Sequence, residues 1–303
     1  MHRVRVGTRG SALARAQTRW VIEQLSRARP DASFEEVIIT TSGDRGRVDA
    51  WPGAFTRELE EALLAGKIDI AVHSLKDLPT EQPPGLVIGA IPPRGDPRDA
   101  LISREGHTLA TLPEGARIGT TSERRAVQLL AFRPDLTILG IRGNVDTRLR
   151  KLSQGDCEAI VLASAGLHRL GRAQEITEVL PLEVMLPAPG QGALAVEVRA
   201  DDKPILDLVS ALDHLPTRKA VQAEREFLRV LGGGCRIPVG AYATVEEDGI
   251  SLSGMVGTRA GRILRGSVRA ASPEETAWLL REQLSAESPE IFTEAVLQRD
   301  GRG

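Results

Sequence analysis

A repeated unit dominates the first two thirds of the chain: a short apolar strand, a turn of small residues, a hydroxyl or an arginine, and then a helix. The predicted strands of this unit lie at 4–6, 117–121, 136–141 and 159–163. Strands that alternate with helices are typical of parallel sheets. The loops that follow such strands meet at one edge of the sheet, where α/β proteins bind their ligands. The sequence therefore predicts an α/β fold with a binding edge.

Length and two segments rich in proline and glycine predict several domains. At 303 residues the chain exceeds one ordinary core, and we expect about two or three domains. Proline and glycine are dense at 79–97 and again at 187–193, where the chain is predicted to cross between two lobes. Two crossings make a hinge, so we expect two α/β lobes with a cleft between them that encloses a polar ligand.

The last part of the chain has a different pattern. From 240 to 270 short strands alternate with turns, which is typical of an antiparallel meander. Ser272, followed by a proline and two glutamates, predicts the start of a helix. This part is therefore a small C-terminal α+β domain with an antiparallel sheet. The predicted boundaries are 1–93 with 194–212 for domain 1, 98–187 for domain 2 and 216–303 for domain 3.

Composition argues against several classes of partner. The 39 basic and 41 acidic side chains nearly cancel, and the chain has only five Phe, three Trp and one Tyr, so we expect no nucleic acid and no anionic membrane as partners. The first residues lack the apolar run of a secretory signal, which predicts a cytoplasmic protein. Cys157 and Cys235 lie in different contexts, and CxxC and HExxH are absent. No metal site and no disulfide are expected.

Asp77 is the first candidate for a catalytic group. Residues 68–72 alternate between apolar and small or polar side chains, which predicts a strand, and His73-Ser74-Leu75-Lys76-Asp77 follows it. A lysine and an aspartate just past the carboxyl end of a strand face whatever binds there. The alternative is a solvated turn in which Asp77 makes local hydrogen bonds. One such loop does not decide between the two.

A set of arginines falls at the predicted binding edge of the sheets. Planar guanidinium groups suit a ligand with several carboxylates, because arginine pairs with a carboxylate through two hydrogen bonds. Each arginine alone is better explained as an exposed helix charge, and only the recurrence of six in equivalent positions favours a binding site. The set consists of Arg9, Arg124, Arg125, Arg142, Arg148 and Arg169.

Cys235 follows three glycines and precedes Arg236-Ile237-Pro238. Glycines let the backbone approach another group closely, and Pro238 stiffens the exit from the loop. Cys235 is therefore either a small buried apolar side chain or a thiol presented for covalent attachment. The glycines favour attachment, but the residues beside it do not say what the thiol attacks.

Five motifs together resemble one enzyme family. They occur in the order VHSLKDLPT, GTTSERRAVQL, IRGNVDTRLRKL, PAPGQGALAVE and GGGCRIPVGAYA. In this order they are similar to the hydroxymethylbilane synthases, also called porphobilinogen deaminases. The resemblance runs from about Val4 to Tyr242 and continues more faintly to the end of the chain.

The resemblance implies a fold, an activity and a cofactor. The implied fold is two lobes like those of periplasmic binding proteins and a third domain that carries the cysteine. The implied activity is the head-to-tail joining of porphobilinogen, with release of ammonia, to give hydroxymethylbilane on the path to haem. Cys235 would carry a dipyrromethane cofactor through a thioether. Asp77 would stabilise the cationic azafulvene that forms when porphobilinogen loses ammonia. The family resemblance also implies a monomer.

The resemblance also implies roles for individual residues. Besides Cys235 and Asp77, the implied cofactor-binding residues are Ser74, Lys76, Thr120, Ser122, Arg124 and Arg125. The implied substrate-binding residues are Arg9, Ser11, Gln17, Arg142, Arg148 and Arg169.

The chain departs from the family pattern in two places. Residues 48–54 lack two lysines that the family usually shows, and Asp49 and Pro52 lie in this loop instead. Asp146 stands between Arg142 and Arg148, where a local salt bridge would weaken their hold on a ligand. Two alternatives therefore stay open: a two-lobed protein that binds a polyanion without catalysis, and a weakly active synthase homologue with an altered lid loop.

Overall fold

A computed structural model describes residues 3–41, 55–232, 237–258 and 260–297. The strands are β1 (Arg3–Arg9), β2 (Ser33–Ile39), β3 (Ile70–Ser74), β4 (Leu86–Ala90), β5 (Asp99–Ser103), β6 (Arg117–Gly119), β7 (Thr137–Leu139), β8 (Ala159–Ala163), β9 (Glu178–Val179), β10 (Leu194–Arg199), β11 (Val239–Glu246), β12 (Gly249–Gly257) and β13 (Ile263–Ala270). The helices are α1 (Ala12–Ala28), α2 (Arg57–Leu64), α3 (Glu123–Phe132), α4 (Val145–Ser153), α5 (Ser164–Arg169), α6 (Lys203–Ser210), α7 (Leu215–Val230), α8 (Pro273–Glu287) and α9 (Pro289–Leu297).

The chain divides into two compact units, Met1–Gly95 with Ala193–Arg218, and Asp96–Gly192 with Lys219–Gly303. The first unit contains a five-stranded sheet in the order β2-β1-β3-β10-β4. Its core lies on both faces of this sheet, because β3 alternates between side chains that pack with α1 and side chains that pack with α2. Ile70 and Val72 join the cluster of Val21 and Leu25, whereas Ala71 joins the cluster of α2.

The second unit contains a five-stranded sheet in the order β7-β6-β8-β5-β9 and a separate three-stranded sheet in the order β11-β12-β13. The small sheet is an antiparallel meander, as predicted, and one face packs against α8. Helix α8 begins where the sequence predicts it, because the Ser272 side chain accepts a hydrogen bond from the backbone N–H of Glu275. The predicted α/β fold class with an antiparallel α+β part is confirmed. The finer division into three domains stays a prediction.

The prediction of parallel sheets is right for part of each large sheet. Strands β1, β2 and β3 run parallel, and so do β6, β7 and β8. Strand β10 is antiparallel to β3 and β4, and β5 is antiparallel to β8 and β9. Both exceptions directly follow the Pro/Gly-rich segments. β5 and β10 enter their sheets without a preceding crossover helix. A crossover helix is the connection that lets successive strands run parallel.

The carboxyl ends of the parallel strands carry the segments that the sequence analysis selected. β1 ends at Arg9 and β3 ends at Ser74, at the same edge of the first sheet. β6, β7 and β8 end just before the segments of Thr120, Arg142 and Ser164, at one edge of the second sheet. Within the described residues, no helix is both long and apolar enough to cross a bilayer.

Candidate active site

In the first unit, a side-chain contact joins α1 to the end of β3, which lies beside β1 in the sheet. Ser11 caps α1 by accepting a hydrogen bond from the Ala14 N–H at 3.3 Å. Gln17, only 4% exposed, donates from Nε2 to the Ser74 hydroxyl at 2.8 Å, and that hydroxyl lies 3.2 Å from Gln17 Oε1. The Arg9 guanidinium lies over the Phe55 ring, 4.2 Å from its centre. The structure therefore brings Ser11, Gln17 and Ser74 to one edge, with Arg9 beside it.

Asp77 is presented on a short turn whose neighbours are buried. Leu75–Asp77 form a single turn of 3-10 helix, and the Leu75 and Leu78 side chains are 0% and 5% exposed. The Leu75 N–H also bonds the carbonyl of Ala193 at 3.0 Å. The Lys76 and Asp77 side chains are exposed, and the Asp77 carboxylate has no hydrogen-bond or ion-pair partner among the described residues. The local hydrogen bonds of the alternative interpretation are therefore not present for Asp77 in this part of the chain.

In the second unit, hydroxyls organise the start of α3. Thr120 is 2% exposed, and its hydroxyl accepts a hydrogen bond from the Ser122 N–H at 3.1 Å. The Ser122 hydroxyl accepts from the Arg125 N–H at 3.4 Å and caps the helix. A hydroxyl that accepts from the backbone still has its own O–H to donate. Both hydroxyls thus remain potential donors to an anion at a helix N-terminus, where the helix dipole favours negative charge.

Arg124 and Arg125 are buried, which the sequence analysis did not predict. Arg124 Nη1 donates to Asp99 Oδ2 at 2.7 Å and to the Leu186 carbonyl at 2.6 Å. Arg125 donates to Asp99 Oδ1 from Nε at 3.1 Å and from Nη2 at 2.7 Å, and to the Val161 carbonyl at 2.9 Å. Each guanidinium has five N–H groups, so both keep N–H groups that bond none of the described residues.

Three further arginines differ from this pair because they have no acidic partner in the part of the chain that the structure describes. Among the described residues, no carboxylate forms an ion pair with Arg142, Arg148 or Arg169. Arg148 Nε donates to the Gly143 carbonyl at 2.8 Å, and Arg169 Nη2 donates to the Gly192 carbonyl at 2.7 Å. Burial lowers the pKa of both side chains, for Arg169 to about 10. Half-buried positive charge, as at Arg148 and Arg169, with no carboxylate partner among the described residues favours an anionic ligand.

Asp146 does not pair with the arginines on either side of it. Its carboxylate accepts from Arg172 Nη1, and Arg172 Nε donates to Glu175. The local salt bridge with Arg142 or Arg148 that the sequence suggested therefore does not form, and Asp146 pairs with Arg172 instead. Arg172 draws the Asp146 charge away from Arg142 and Arg148, which leaves both available to a ligand.

Replacing Arg172 tests this arrangement. With Arg172→Ala, the Asp146 carboxylate loses this partner and can compete for Arg142 and Arg148, which the family resemblance implies as substrate-binding residues. We expect KM for porphobilinogen, the substrate that the resemblance implies, to rise by about two- to fivefold, the effect of an exposed ion pair of roughly 0.5 to 1 kcal/mol, while kcat stays unchanged. The measurement is steady-state kinetics.

The double variant Arg172→Ala/Asp146→Asn is the matched control for this prediction. It should return KM to the wild-type value, because the competing carboxylate is gone. A raised KM that persists in the double variant would show that Arg172 acts in some other way.

Several buried polar residues near the strand ends were missed by the sequence analysis. Asp99 opens an apolar strand, and an acidic residue at the first position of such a strand is a usable signal. Gln191 donates to Asp99 Oδ1 at 3.0 Å and to the Pro97 carbonyl at 2.7 Å. His73 and Glu197, 3% and 0% exposed, lie 3.0 Å apart across β3 and β10. No sequence pattern reveals that pair, because the two residues are far apart in the chain.

Two of the predicted features lie outside the described residues. One is Cys235, the predicted point of cofactor attachment. The other is the loop at 48–54 that lacks the family lysines. Both stay predictions.

The fold and the site residues together define a class: an α/β protein that binds a small ligand bearing several carboxylates. Two family models match the chain. One is described as porphobilinogen deaminase, dipyromethane cofactor binding domain, and matches residues 4–207. The other is described as porphobilinogen deaminase, C-terminal domain, and matches residues 218–286.

Curated relatives are similar over most of their length. The porphobilinogen deaminase of Brevibacillus brevis is 53% identical over 269 residues, which cover 86% of this chain and 87% of the relative. That of Moorella thermoacetica is 49% identical over 308 residues and covers 98% of both chains. Among solved structures, the VFT2 domain of Bordetella pertussis BvgS is 16% identical with a TM-score of 0.42, over 69% of this chain and 86% of that one. The chain belongs to the porphobilinogen deaminase family, whose members are transferases.

The donor groups of the described residues fit the cofactor that the family model names. Dipyrromethane has two pyrroles, each with an acetate and a propionate, and therefore needs several donors to carboxylates. The start of α3 supplies such donors through Thr120, Ser122 and the N–H groups that Arg124 and Arg125 keep. Charged donors of this kind make the strongest hydrogen bonds to carboxylates.

Proposed function

We propose that this chain is a hydroxymethylbilane synthase that uses Asp77 as its catalytic carboxylate. It joins porphobilinogen units head to tail and releases one ammonia for each unit, in porphyrin biosynthesis. The observation that carries the proposal is the Asp77 side chain, exposed at the end of β3 with no partner among the described residues. Family membership supports the activity, and the lack of a partner for this carboxylate among the described residues supports the role of Asp77.

Asp77 acts on charge that develops on the reacting pyrroles. Loss of ammonia and formation of the new carbon–carbon bond both place positive charge on a pyrrole ring. A carboxylate that accepts a hydrogen bond from a pyrrole N–H stabilises that charge and can hold the proton that is released. The buried Leu75 and Leu78 side chains fix the turn, so the carboxylate is positioned before substrate binds.

The cofactor is held by residues of two kinds. Cys235 is the proposed covalent attachment through a thioether. The carboxylates of the cofactor are proposed to bind Ser74, Lys76, Thr120, Ser122, Arg124 and Arg125. When bound, dipyrromethane supplies the pyrrole carbon to which the first substrate unit is joined. The capped start of α3 and the exposed Lys76 support these assignments.

The substrate carboxylates have a second proposed set of partners. These are Arg9, Ser11, Gln17, Arg142, Arg148 and Arg169. The absence of an acidic partner for Arg142, Arg148 and Arg169 among the described residues supports the assignment. Gln17 is the least accessible of the set, and its bond to Ser74 supports a role in shaping the edge. We further propose a cytoplasmic monomer without a nucleic-acid partner, in line with the nearly balanced charge.

The intact protein tests the proposed function directly. Expressed in a host that makes porphyrins, the chain should carry the added mass of one dipyrromethane and give a colour with Ehrlich's reagent. Incubated with porphobilinogen, it should release hydroxymethylbilane and ammonia. A chain of unmodified mass that consumes no porphobilinogen would contradict the proposal and would favour the polyanion-binding alternative.

Replacing Arg169 separates ligand binding from stability. Burial lowers the pKa of Arg169 to about 10, so the protonated side chain is less stable in the folded protein than in the unfolded chain. This cost is fully present below pH 10 and is relieved as pH rises from there toward the ordinary arginine pKa. Arg169→Met removes the cost, so we expect an undiminished free energy of unfolding at pH 7.

The same variant should bind substrate more weakly. KM should rise about tenfold or more, which corresponds to the loss of a charged hydrogen bond of roughly 1.5 kcal/mol. Arg150→Met, at an exposed position of α4, is the control and should change neither quantity. Loss of stability with an unchanged KM would mean that Arg169 serves the fold through its bond to the Gly192 carbonyl. Denaturant titration and steady-state kinetics provide the two readouts.

A further inference from the structure

We infer that Asp99 is a positioning residue that orients Arg124 and Arg125 for binding the carboxylates of the cofactor. Asp99 is the first residue of β5 and is 0% exposed. Its two carboxylate oxygens accept hydrogen bonds from both guanidinium groups, at 2.7 Å from Arg124 and at 2.7 and 3.1 Å from Arg125. The inference rests on the proposed cofactor-binding role of the two arginines.

One carboxylate that serves two neighbouring arginines solves an electrostatic problem. Arg124 and Arg125 are adjacent in sequence, and each is 6% exposed. Two buried positive charges side by side repel each other and lack water to screen them. Asp99 compensates one of the two charges, so the cluster keeps a net positive charge that can attract an anion. Burial alone would raise the pKa of Asp99, but the two guanidinium charges hold it well below its usual range, so the carboxylate is ionised at neutral pH.

The hydrogen bonds also fix the direction of each guanidinium group. Arg125 is held on three sides, through Nε and Nη2 by Asp99 and through Nη1 by the Val161 carbonyl. Arg124 Nη1 is shared between Asp99 and the Leu186 carbonyl. A planar group that is held through some of its N–H groups presents the others in a fixed direction. Such preorganisation removes the entropy that a flexible arginine loses when it binds a carboxylate.

Asp99 is itself held in place from a third segment. Gln191 Nε2 donates to Asp99 Oδ1 at 3.0 Å and to the Pro97 carbonyl at 2.7 Å. The proline- and glycine-rich segment 187–193 therefore also supplies Gln191, a contact that its sequence pattern did not predict. It places an amide donor against the shared carboxylate and completes its set of hydrogen bonds.

Two substitutions at Asp99 test the inference. Asp99→Asn keeps the shape and removes the charge, whereas Asp99→Glu keeps the charge and moves the carboxylate by one methylene. We expect both to lower the fraction of chains that carry the dipyrromethane mass several-fold, as measured by intact mass spectrometry. Among the chains that do carry it, KM for porphobilinogen should rise by about tenfold or more, because a cofactor that loses charged and paired hydrogen bonds no longer holds in one place the pyrrole that receives the substrate. The kcat value should change less, because Asp77 is untouched.

Asp135→Asn is the matched control for a loss of stability alone. Asp135 also holds an arginine through paired hydrogen bonds, from Arg133 at 2.7 Å each, and the Arg133 guanidinium lowers the pKa of Asp135 to about 2. Neither residue belongs to the proposed site. The control should lower the unfolding midpoint while the cofactor-bearing fraction and KM remain those of the wild type.

The outcomes separate the inference from the proposed function. Asp99 variants with a normal cofactor-bearing fraction and a normal KM would overturn the inference and leave the proposed function standing. If Asp99→Asn does not fold, the result for Asp99→Glu decides by the same two measurements. A wild-type chain without the added mass would overturn both the proposed function and the inference.

Discussion

Asp77→Asn is expected to reduce kcat by about 100- to 10,000-fold, the range that a positioned acid or base contributes to a rate. Asparagine keeps the size of the side chain but cannot hold a proton or compensate positive charge on a pyrrole. The folded structure should not change, because the Asp77 side chain is exposed and bonds no other described residue. The unfolding midpoint and the dipyrromethane mass should therefore match those of the wild type.

The control for Asp77 is another exposed carboxylate on the same segment. Glu81→Gln lies four residues further along the chain and is exposed, so its kcat should be that of the wild type. The readouts are the rate of porphobilinogen consumption, the intact mass and a thermal unfolding curve. An Asp77→Asn variant that retains more than about a tenth of the wild-type kcat would mean that another group stabilises the charge.

Cys235→Ser is expected to abolish both the added mass and the turnover. Thioether formation needs a sulfur nucleophile, and the serine hydroxyl is far less nucleophilic at neutral pH than a thiol that is partly ionised. Without the thioether, no primer remains attached to the chain through repeated additions. The variant should therefore have the mass of the bare polypeptide, give no colour with Ehrlich's reagent and release no hydroxymethylbilane.

Cys157 provides the comparison for this prediction. Cys157 is fully buried in the core of the second unit, and burial raises the pKa of its thiol, which makes it unreactive. Cys157→Ala should keep the dipyrromethane mass and the activity, with some loss of stability from the missing sulfur. If the added mass survives in Cys235→Ser and disappears in Cys157→Ala, the cofactor is attached to Cys157 and the proposed attachment at Cys235 is wrong.

The sequence predicts the elements and the edge of the sheets better than the contacts made there. Alternating apolar residues locate β3, and capping residues locate the starts of α1, α3 and α8, because these signals are local. The position of Asp77 past a strand end follows from the same pattern. The antiparallel course of β10 could not be predicted, since strand pairing over more than a hundred residues has no local signal.

Burial of polar groups was the main feature that the sequence did not reveal. Arg124 and Arg125 have the pattern of exposed helix arginines, and only their three-dimensional neighbours show that Asp99 accepts from both. A salt bridge of Asp146 with Arg142 or Arg148 was expected, but its partner is Arg172, which lies 26 residues away. In both cases the type of interaction follows from residue chemistry, whereas the choice of partner depends on tertiary packing.

The position of β10 within the first sheet has a consequence for how the chain folds during synthesis. β10 lies between β3 and β4, yet it is translated only after all of residues 96–192. The nascent first unit therefore lacks a central strand, with the hydrogen-bonding edges of β3 and β4 unsatisfied, until the ribosome has passed residue 199. The first unit can therefore be completed only after the segment 96–192 of the second unit has been made. We expect chaperones to bind the unsatisfied edges of β3 and β4 until β10 has been synthesised.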